Sequence, residues 1–542
     1  MKNVDTHTGK LLFDRIVEVV SNERLTPKER IPKLRTILDE LFKALTTDSK
    51  VLLSSLSSRS IYIFREFDVP KDIEYKTDSL RKLANKVVHE SEIIPNKKDE
   101  VRSLYHLSEV ISYFSKEPIP ENILNIYKPF LDEILKSPAI KKDIRPSYDF
   151  YAIVESVYFP QNEAAGKFCT LTCNTDELGV IRLKLWNNKK DNGFGSDLSV
   201  FGKLVEPYQN IYVTNVKQVA DKENDYYATD QSLIILEPDY LLDAKELSEC
   251  RQFNSSSFGR YEDNPLLFIL NRFTKGVISD RMMVGNIVGK MLDDIVTEKD
   301  YNYKDSFESV MRENSFGMLC IANEEGEYNR AKIGAIYIEA KDHEKQLLNT
   351  LKVYKGHQQI LEPTFISNKY GLQGRLDLLV DFGPDSNRKD IIELKSSKNY
   401  PGNHLALYLN HEAQTMCYDL LVSSTFPDRI GASSILYSSA PLEEKPLRNV
   451  AEEKFLSKQE LLMLRNRIVS GELKLADGDF KPFLNILEDD FGPYPKFLED
   501  QLNDFIDTIH GFDDLLKAYF FGYLKFIYKE LHVAKIGSKD TY

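Results

Sequence analysis

The feature that most constrains the fold of this chain is a pair of apolar segments that carry three charged side chains. Ile391–Ser396 is typical of a strand in which Glu393 and Lys395 alternate with isoleucine and leucine. Gly374–Asp377 is a second such segment, and a run of turn-forming residues lies between the two. A hairpin folded about that turn places Asp377 opposite Glu393 and Lys395, because directly opposed residues share a face of the sheet. Two acids and a lysine are therefore predicted to converge on one side of an otherwise apolar sheet.

The alternative to a site is a surface pair of Glu393 and Lys395 on an amphipathic strand, since the spacing Glu-x-Lys is common. The neighbours of these two residues are isoleucine and leucine, which indicates a buried strand. A buried strand rarely tolerates unpaired charges. We therefore favour a functional site, because buried and convergent charges mark such sites. Its carboxylates suit a divalent metal ion.

A helix is predicted over His411–Leu421, and its polar residues fall on one stripe. Gln414 and Tyr418 are four residues apart, so they share a face, and His411 extends the same stripe. A purely structural helix would present apolar residues there. A solvated polar face is the open alternative; otherwise these side chains face the charged hairpin, where they would hold a phosphate or order the lysine.

Length and composition bound the class of protein. A chain of 542 residues is too long for one core, so three or four domains are expected. No apolar run approaches the length of a membrane span, and the N-terminus lacks a signal peptide, so no membrane partner is expected. Five cysteines without regular spacing indicate a reducing cytoplasm. The net charge of −13 argues against a surface coated by nucleic acid, although a local basic groove is compatible with it.

Four regions of different pattern predict a multi-domain α/β protein. Residues 1–145 are typical of a helical interaction domain, in which Thr26–Glu29 has the form of a capping box. Residues 147–237 contain short β-rich runs separated by turns, which predicts a small OB-like β-barrel. Residues 238–450 are mixed α/β and contain the hairpin, and residues 451–542 are again helical.

Taken in order, the motifs resemble the PD-(D/E)xK nuclease superfamily, in its RecB-like branch. Asp377, Glu393-x-Lys395 and Gln414-x-x-x-Tyr418 match the pattern of that superfamily. The sequences of these motifs are most similar to those in the nuclease domain of nuclease-helicases that process replication flaps (the Dna-two type). The resemblance covers roughly residues 150 to 450, and the ordered combination is specific where each motif alone is not.

The resemblance implies a restriction-endonuclease-like core and hydrolysis of single-stranded or flap DNA, in repair, replication or defence. It implies Mg²⁺ or Mn²⁺ bound by Asp377, Glu393 and the Leu394 carbonyl. Glu362, on the strand before the hairpin, is a further candidate ligand by its position. Arg375 would contact the DNA backbone. The catalytic set that it implies is Asp377, Glu393, Lys395, Gln414 and Tyr418, with Arg375 and His411 as substrate-binding residues.

The chain departs from the family pattern at three places. Gly289 stands where the family has a metal-binding histidine. Cys250 matches the first cysteine of the family's iron–sulfur cluster, but no cysteine follows Cys417, so no complete cluster is expected. The chain also has no Gly-x-x-x-x-Gly-Lys-Ser/Thr loop, so the helicase is expected either as a separate chain or to have been lost.

Two other functions remain open from the sequence. A catalytically degenerate, DNA-binding or scaffold subunit built on a nuclease fold is compatible with Gly289 in the histidine position. The segment Leu80–His89 weakly resembles a helix of HEPN-like helical domains, some of which are ribonucleases. In that reading His89 would cleave RNA without a metal, although a helical histidine is more often structural.

Overall fold

The chain forms two compact units, Met1–Ser232 and Leu233–Tyr542. No helix in the described part combines the length and the apolar character that a membrane crossing needs. The computed structural model describes residues 2–89, 93–131, 147–161, 166–189, 196–220, 222–253, 261–274, 279–297, 300–314, 330–400, 407–441, 445–450, 455–487 and 491–536.

The first unit begins with a helical region, as predicted. Glu29 accepts hydrogen bonds of 2.8 Å from the backbone N–H and the hydroxyl of Thr26, which fixes the start of the second helix. Apolar residues at helical spacing, such as Leu34 and Leu38, are fully buried in one shared core. The side chain of His89 lies outside the described part of the chain. The helices are α1 (Thr6–Ser21), α2 (Pro27–Thr46), α3 (Leu56–Glu66), α4 (Lys71–His89), α5 (Lys97–Ser115) and α6 (Glu121–Tyr127).

A closed five-stranded barrel completes the first unit and confirms the predicted small barrel. Its strands are β1 (Tyr148–Tyr158), β2 (Phe168–Thr175), β3 (Gly179–Trp186), β4 (Asn210–Gln218) and β5 (Asp225–Ala228). They follow the order β1-β2-β3-β5-β4, and β4 pairs with β1 to close the barrel. Cys169 and Cys173 are buried in its interior, as the alternation of β2 predicts.

The second unit is mixed α/β with a helical C-terminal region. Its strands are β6 (Ile234–Leu236), β7 (Leu242–Asp243), β8 (Arg251–Phe253), β9 (Tyr261–Asp263), β10 (Gln358–Leu361), β11 (Thr364–Ser367), β12 (Leu372–Arg375), β13 (Leu378–Asp381), β14 (Lys389–Lys395), β15 (Ser433–Tyr437) and β16 (Leu447–Asn449). Its helices are α7 (Ala244–Glu249), α8 (Leu266–Leu270), α9 (Asp280–Thr297), α10 (Tyr303–Glu313), α11 (Arg330–Asp342), α12 (Glu344–Leu351), α13 (Leu409–Thr425), α14 (Phe455–Asp477), α15 (Lys481–Leu484), α16 (Glu499–His510) and α17 (Asp514–Ile536).

A five-stranded sheet forms the centre of this unit, in the order β10-β13-β14-β15-β16. The strands β14 and β15 are parallel, and the other neighbours are antiparallel. Leu378, Ile392 and Leu436 pack on one side of the sheet with apolar residues of α9 to α12. Helix α13 packs against β14 and β15 and also against β11 and β12, which belong to a separate three-stranded sheet with β7. The start of α13 is thereby held near the end of β14.

Helix α14 ties the three-stranded sheet in place through the fully buried Arg465. Its guanidinium donates to the carbonyls of Leu236, Glu237 and Tyr240 before β7, and to the carbonyl of Gly371 before β12. The carbonyls of Glu237 and Gly371 also accept backbone N–H groups, so Arg465 adds to hydrogen bonds that are already present there. Burial lowers the pKa of Arg465 to about 9.

Candidate active site

Asp377 lies at the crossing from the three-stranded sheet to the five-stranded sheet. It occupies a bend between β12 and β13, so its predicted position within a strand is wrong. The backbone passes from one sheet to the other at this point, so Asp377 does not extend the strand pairing of either sheet. Its position opposite the Glu393–Lys395 segment is confirmed, because β13 and β14 pair with Leu378 opposite Ile392. Asp377 Oδ2 accepts a 2.6 Å hydrogen bond from the N–H of Leu394.

Glu393 is a buried carboxylate on β14, only 3% exposed. Its Oε1 accepts hydrogen bonds from Lys395 Nζ at 2.9 Å and from Gln414 Nε2 at 2.8 Å. Its Oε2 is buried and accepts no hydrogen bond from any N–H or O–H group among the described residues, while the carboxyl group of Asp377 lies within hydrogen-bonding reach of Glu393. Burial and the nearby charge of Asp377 raise the pKa of Glu393 to about 8. Burial raises the pKa of Asp377 as well. Removing either carboxylate from water is therefore costly.

Gln414 joins the lysine, the glutamate and the tyrosine into one hydrogen-bonded group. Its Oε1 accepts from Lys395 Nζ at 2.8 Å, and its Nε2 donates to Glu393 and to the hydroxyl of Tyr418. Tyr418 in turn donates to the carbonyl of Arg375 at 2.9 Å. Gln414 and Tyr418 are both buried, so the polar stripe of α13 is not a solvated face. This network therefore fixes the orientation of the Gln414 amide and of the Tyr418 hydroxyl.

The absence of a side chain at Gly374 leaves the space that the ring of Tyr418 occupies. A Cβ atom on Gly374 would lie 2.8 Å from Cε1 of Tyr418 and 3.1 Å from Cβ of Ala244. Tyr418 therefore crosses β12 at a point where only a hydrogen atom separates it from the backbone. This contact explains why a glycine interrupts the apolar segment that precedes Asp377.

The remaining predicted residues lie at the margin of the group. Arg375 Nη1 lies 3.1 Å from Glu362 Oε2, and both side chains are about half exposed. His411 Nδ1 lies 3.2 Å from the hydroxyl of Tyr437. Burial, together with the positive charge of Lys395, lowers the pKa of His411 to about 3. His411 is therefore a neutral imidazole and does not offer a cation to a phosphate. Leu394 contributes the N–H that Asp377 accepts.

Asp293 on α9 is a carboxylate near this group that the sequence reasoning missed. Gly285, Gly289 and Asp293 are spaced by four residues and therefore share one face of α9. A Cβ atom on Gly285 would lie 3.4 Å from Oγ of Ser396, directly after β14, so this face is turned toward the end of that strand. Burial raises the pKa of Asp293 to about 6, and the charges of Glu362 and Asp377 add to the shift. A carboxylate one turn after Gly289 is the signal that would have identified it.

The carboxylates fit a hard divalent cation. Glu393 Oε2 is buried without an N–H or O–H donor among the described residues, beside the carboxylate of Asp377, and a cation there would satisfy both. Within the described residues, no group of three or more His, Cys, Asp or Glu side chains could hold a metal ion. Mg²⁺ does not require such a cage, because proteins usually bind it through one or two carboxylates while it keeps several waters or takes oxygens from a substrate phosphate. Asp377 and Glu393 supply that set.

Comparison with known proteins gives no match: neither a family model nor a curated protein matches the chain. The geometry of the site and the motifs that form it are therefore what indicate its function.

Proposed function

We propose that this protein is a metal-dependent DNA nuclease that hydrolyses phosphodiester bonds of single-stranded or flap DNA. The observation that carries the proposal is the buried Glu393, whose second oxygen lacks an N–H or O–H donor among the described residues while Asp377 adds a further carboxylate. Lys395 and Gln414 bind the first oxygen of Glu393. This arrangement matches the order of residues in PD-(D/E)xK nucleases, and it supports assigning residues 238–450 to a nuclease core.

Burial of the two carboxylates lowers the stability of the folded protein, which supports a role for them other than stabilisation. Glu393 has its pKa raised to about 8, so a charged form at neutral pH opposes folding. A packed apolar residue at position 393 would avoid that cost. Groups whose pKa is shifted by burial together with a specific charged neighbour are typical of functional sites.

Each residue of the group has a task in phosphodiester hydrolysis. A divalent ion held by Asp377 and Glu393, with the Leu394 carbonyl and Glu362 as further oxygen donors, would stabilise negative charge on the phosphoryl oxygens. Two of the three N–H groups of Lys395 donate to Glu393 and Gln414, and the third is available to orient a water molecule or a phosphate oxygen.

The residues around this centre hold it and meet the substrate. Gln414 fixes the orientation of Lys395, and Tyr418 fixes the orientation of Gln414. The exposed guanidinium of Arg375 suits a bidentate contact with a backbone phosphate. His411, which is neutral, orders Tyr437 and contributes as a hydrogen-bonding group.

The partners and the cellular setting follow from the same proposal. We propose DNA as the substrate and a separate helicase chain as a partner, since the resembling family couples the two activities. A cytoplasmic location fits the low cysteine content, and the four described cysteines are free and buried.

Cleavage of labelled single-stranded DNA with Mg²⁺ or Mn²⁺ tests the proposal. Wild-type protein is expected to cut, and Asp377→Ala and Lys395→Ala are expected to lose at least about 100-fold in rate. Lys355→Ala is the matched control, because Lys355 is an exposed lysine of the same unit. Equal rates in all four proteins would refute the proposal.

A catalytically degenerate, DNA-binding subunit is the second candidate. One observation favours it: Gly289 offers no side chain at the position where the resembling family has a metal-binding histidine. Calorimetric titration with Mn²⁺ separates the candidates. The nuclease requires binding that Glu393→Gln abolishes, whereas the degenerate subunit predicts no heat of binding in either protein.

A further inference from the structure

The outer face of the barrel carries a row of aromatic and cationic side chains. Strand register places Tyr158 opposite Thr170, Thr170 opposite Lys184, Lys184 beside Tyr227, and Tyr227 opposite Lys217. The sequence neighbours of these residues on β2, β3 and β5 are buried inside the barrel, so the row points outward. We call these five residues the outer row. Neighbouring strands lie about 4.8 Å apart, so the row extends roughly 20 Å around the barrel.

Two further aromatic rings extend the outer row at the ends of β2 and β3. Phe168 lies opposite Trp186, and their ring centroids are 5.3 Å apart. The ammonium of Lys184 lies 3.7 Å from the centroid of Phe168 and 4.0 Å from that of Trp186. Both rings are half-buried and retain surface toward solvent. A flat aromatic surface beside a fixed cation is thus built into adjacent strands.

A bulge in β1 turns its end toward this face. The register with β2 shifts between Val154 and Ser156, so Val154 points inward while Ser156 and Tyr158 point outward. Tyr158 is 59% exposed, so most of its ring is open to a ligand. The bulge therefore aims an exposed ring at the side of the barrel where Lys184 lies.

Charge on this face is predominantly positive. Asp225 on β5 accepts a 2.6 Å hydrogen bond from Arg182, which lies two residues before Lys184 on β3, and Asp230 accepts one from Asn188, two residues after Trp186. Lys222 lies 3.8 Å from the carboxylate of Asp225. Glu223 follows Lys222 in the adjoining loop and is exposed. Lys184 and Lys217 remain as cations beside the rings, in a protein whose net charge is −13.

We propose that this face of the barrel binds single-stranded nucleic acid, with bases stacking on Tyr158, Phe168 and Trp186 and phosphates contacting Lys184 and Lys217. Stacking on aromatic rings combined with cations that follow the backbone is how proteins hold single strands without reading their sequence. The inference rests on the proposed function in one respect: it gives the single-stranded substrate of the nuclease a holding surface.

A carbohydrate is the competing ligand, since sugars also pack on aromatic rings. The lysines favour nucleic acid, because a neutral sugar gains nothing from two cations whereas a phosphate backbone is attracted by both. Small barrels of this kind bind either class of ligand, so the charge on the face decides between them.

Fluorescence of Trp186, the one tryptophan in the chain, reports binding at this face directly. The full chain carrying Asp377→Asn, which prevents cleavage of the probe, is titrated with an oligothymidylate of about 12 nucleotides. We expect saturable quenching, and weaker binding as the salt concentration rises. Tyr158→Ala and Lys184→Ala are each expected to weaken binding about tenfold, as loss of one stacking or phosphate contact does.

Two exposed residues away from the face provide matched controls. Tyr151→Ala removes an exposed tyrosine from the same strand as Tyr158, seven positions earlier, and Lys33→Ala removes an exposed lysine of α2. Both are expected to bind the oligonucleotide as well as the parent does. Circular dichroism of each variant verifies that the barrel is folded.

The outcomes separate this inference from the nuclease proposal. Absence of quenching, or equal affinity in Tyr158→Ala, Lys184→Ala and the controls, overturns the inference even if wild-type protein cleaves DNA. Quenching by neutral dextran as strong as that by the oligonucleotide also overturns it. Weakened binding in the two variants supports the inference even if wild-type protein cleaves nothing. An oligouridylate of equal length shows whether the face binds RNA as well as DNA, and binding of either strand supports it.

Discussion

Gln414 Nε2 lies 2.8 Å from Glu393 Oε1, and the Oε1 of the same amide lies 2.8 Å from Lys395 Nζ. One side chain of α13 therefore fixes the relative position of an acid and a base on β14. An amide is suited to this task because it presents a donor to the carboxylate and an acceptor to the ammonium at the same time.

Removal of this amide is expected to disorder the lysine. In Gln414→Ala, Lys395 loses an acceptor and Tyr418 loses a donor, so we predict a roughly 10- to 100-fold lower kcat with little change in KM. The measurement is steady-state cleavage of single-stranded DNA. Gln358→Ala on β10, where the glutamine is exposed, should behave as wild type. A Gln414→Ala protein with unchanged kcat would exclude a positioning role.

The raised pKa of Glu393 predicts how stability depends on pH. The folded protein holds a proton on Glu393 up to about pH 8, whereas an unfolded glutamate releases it near 4.5. The folded state therefore binds more protons between these values, and the free energy of unfolding falls as pH rises through the window. At about 1.4 kcal/mol per pH unit, the loss reaches about 3 kcal/mol by pH 7.

Glu393→Gln removes this titration and should flatten the profile. Urea unfolding in EDTA at pH 5 and pH 7.5 measures the difference, and Glu530→Gln, an exposed substitution on α17, is the control. A profile of Glu393→Gln as steep as that of wild type would show that Glu393 is not the titrating group.

Two glycines of the second unit should respond to alanine in opposite ways. Gly374→Ala places a methyl group 2.8 Å from Tyr418, so we predict a loss of about 1 to 3 kcal/mol in stability and a lower cleavage rate. Nothing lies within 4 Å of a Cβ at Gly289 in the middle of α9. Gly289→Ala should therefore raise stability by about 0.5 to 1 kcal/mol. Thermal unfolding of both variants tests the pair, and the same sign for both would contradict the packing described.

His106 on α5 is expected to weaken the protein in acid. Burial lowers its pKa to about 4, with the charges of Arg102 and Lys76 adding to the shift. An unfolded histidine takes up a proton below about 6.5, so the free energy of unfolding falls as pH decreases from 6.5 toward 4. The loss at pH 5 is about 2 kcal/mol.

The neutral variant His106→Gln should lose less stability than wild type between pH 7 and pH 5, whereas His510→Gln, an exposed change on α16, should follow wild type. Urea unfolding at the two pH values gives both differences. Parallel behaviour of wild type and His106→Gln would show that His106 is not the acid-sensitive group.

The sequence was informative wherever the pattern was local. Ile391 to Lys395 alternates clearly enough to predict β14, and the spacing of Gln414 and Tyr418 predicts one face of α13. The same alternation predicts most of the barrel. Strand β5 is hard to recognise from sequence, because Asp225–Ala228 has only four residues and begins with a charged one.

The sequence pattern does not predict features that depend on contacts between residues far apart in the chain. Asp377 leaves its strand because the chain changes sheets there, which no local rule reports. Asp293 approaches the site only because α9 packs on the sheet beside β14. Arg465 was not singled out, since an arginine in a helix is normally exposed; here it binds four carbonyls from two other segments.

Single-turnover cleavage of an end-labelled, single-stranded oligonucleotide with Mn²⁺ tests the central claim most directly, with Asp377→Asn compared against Asp385→Asn. Asp385 is an exposed aspartate in the turn between β13 and β14 and is the matched control. The proposed site predicts that wild type and Asp385→Asn cut at the same rate, while Asp377→Asn is slower by at least about 100-fold. Equal rates in all three proteins, or no metal-dependent cleavage by wild type, would contradict it.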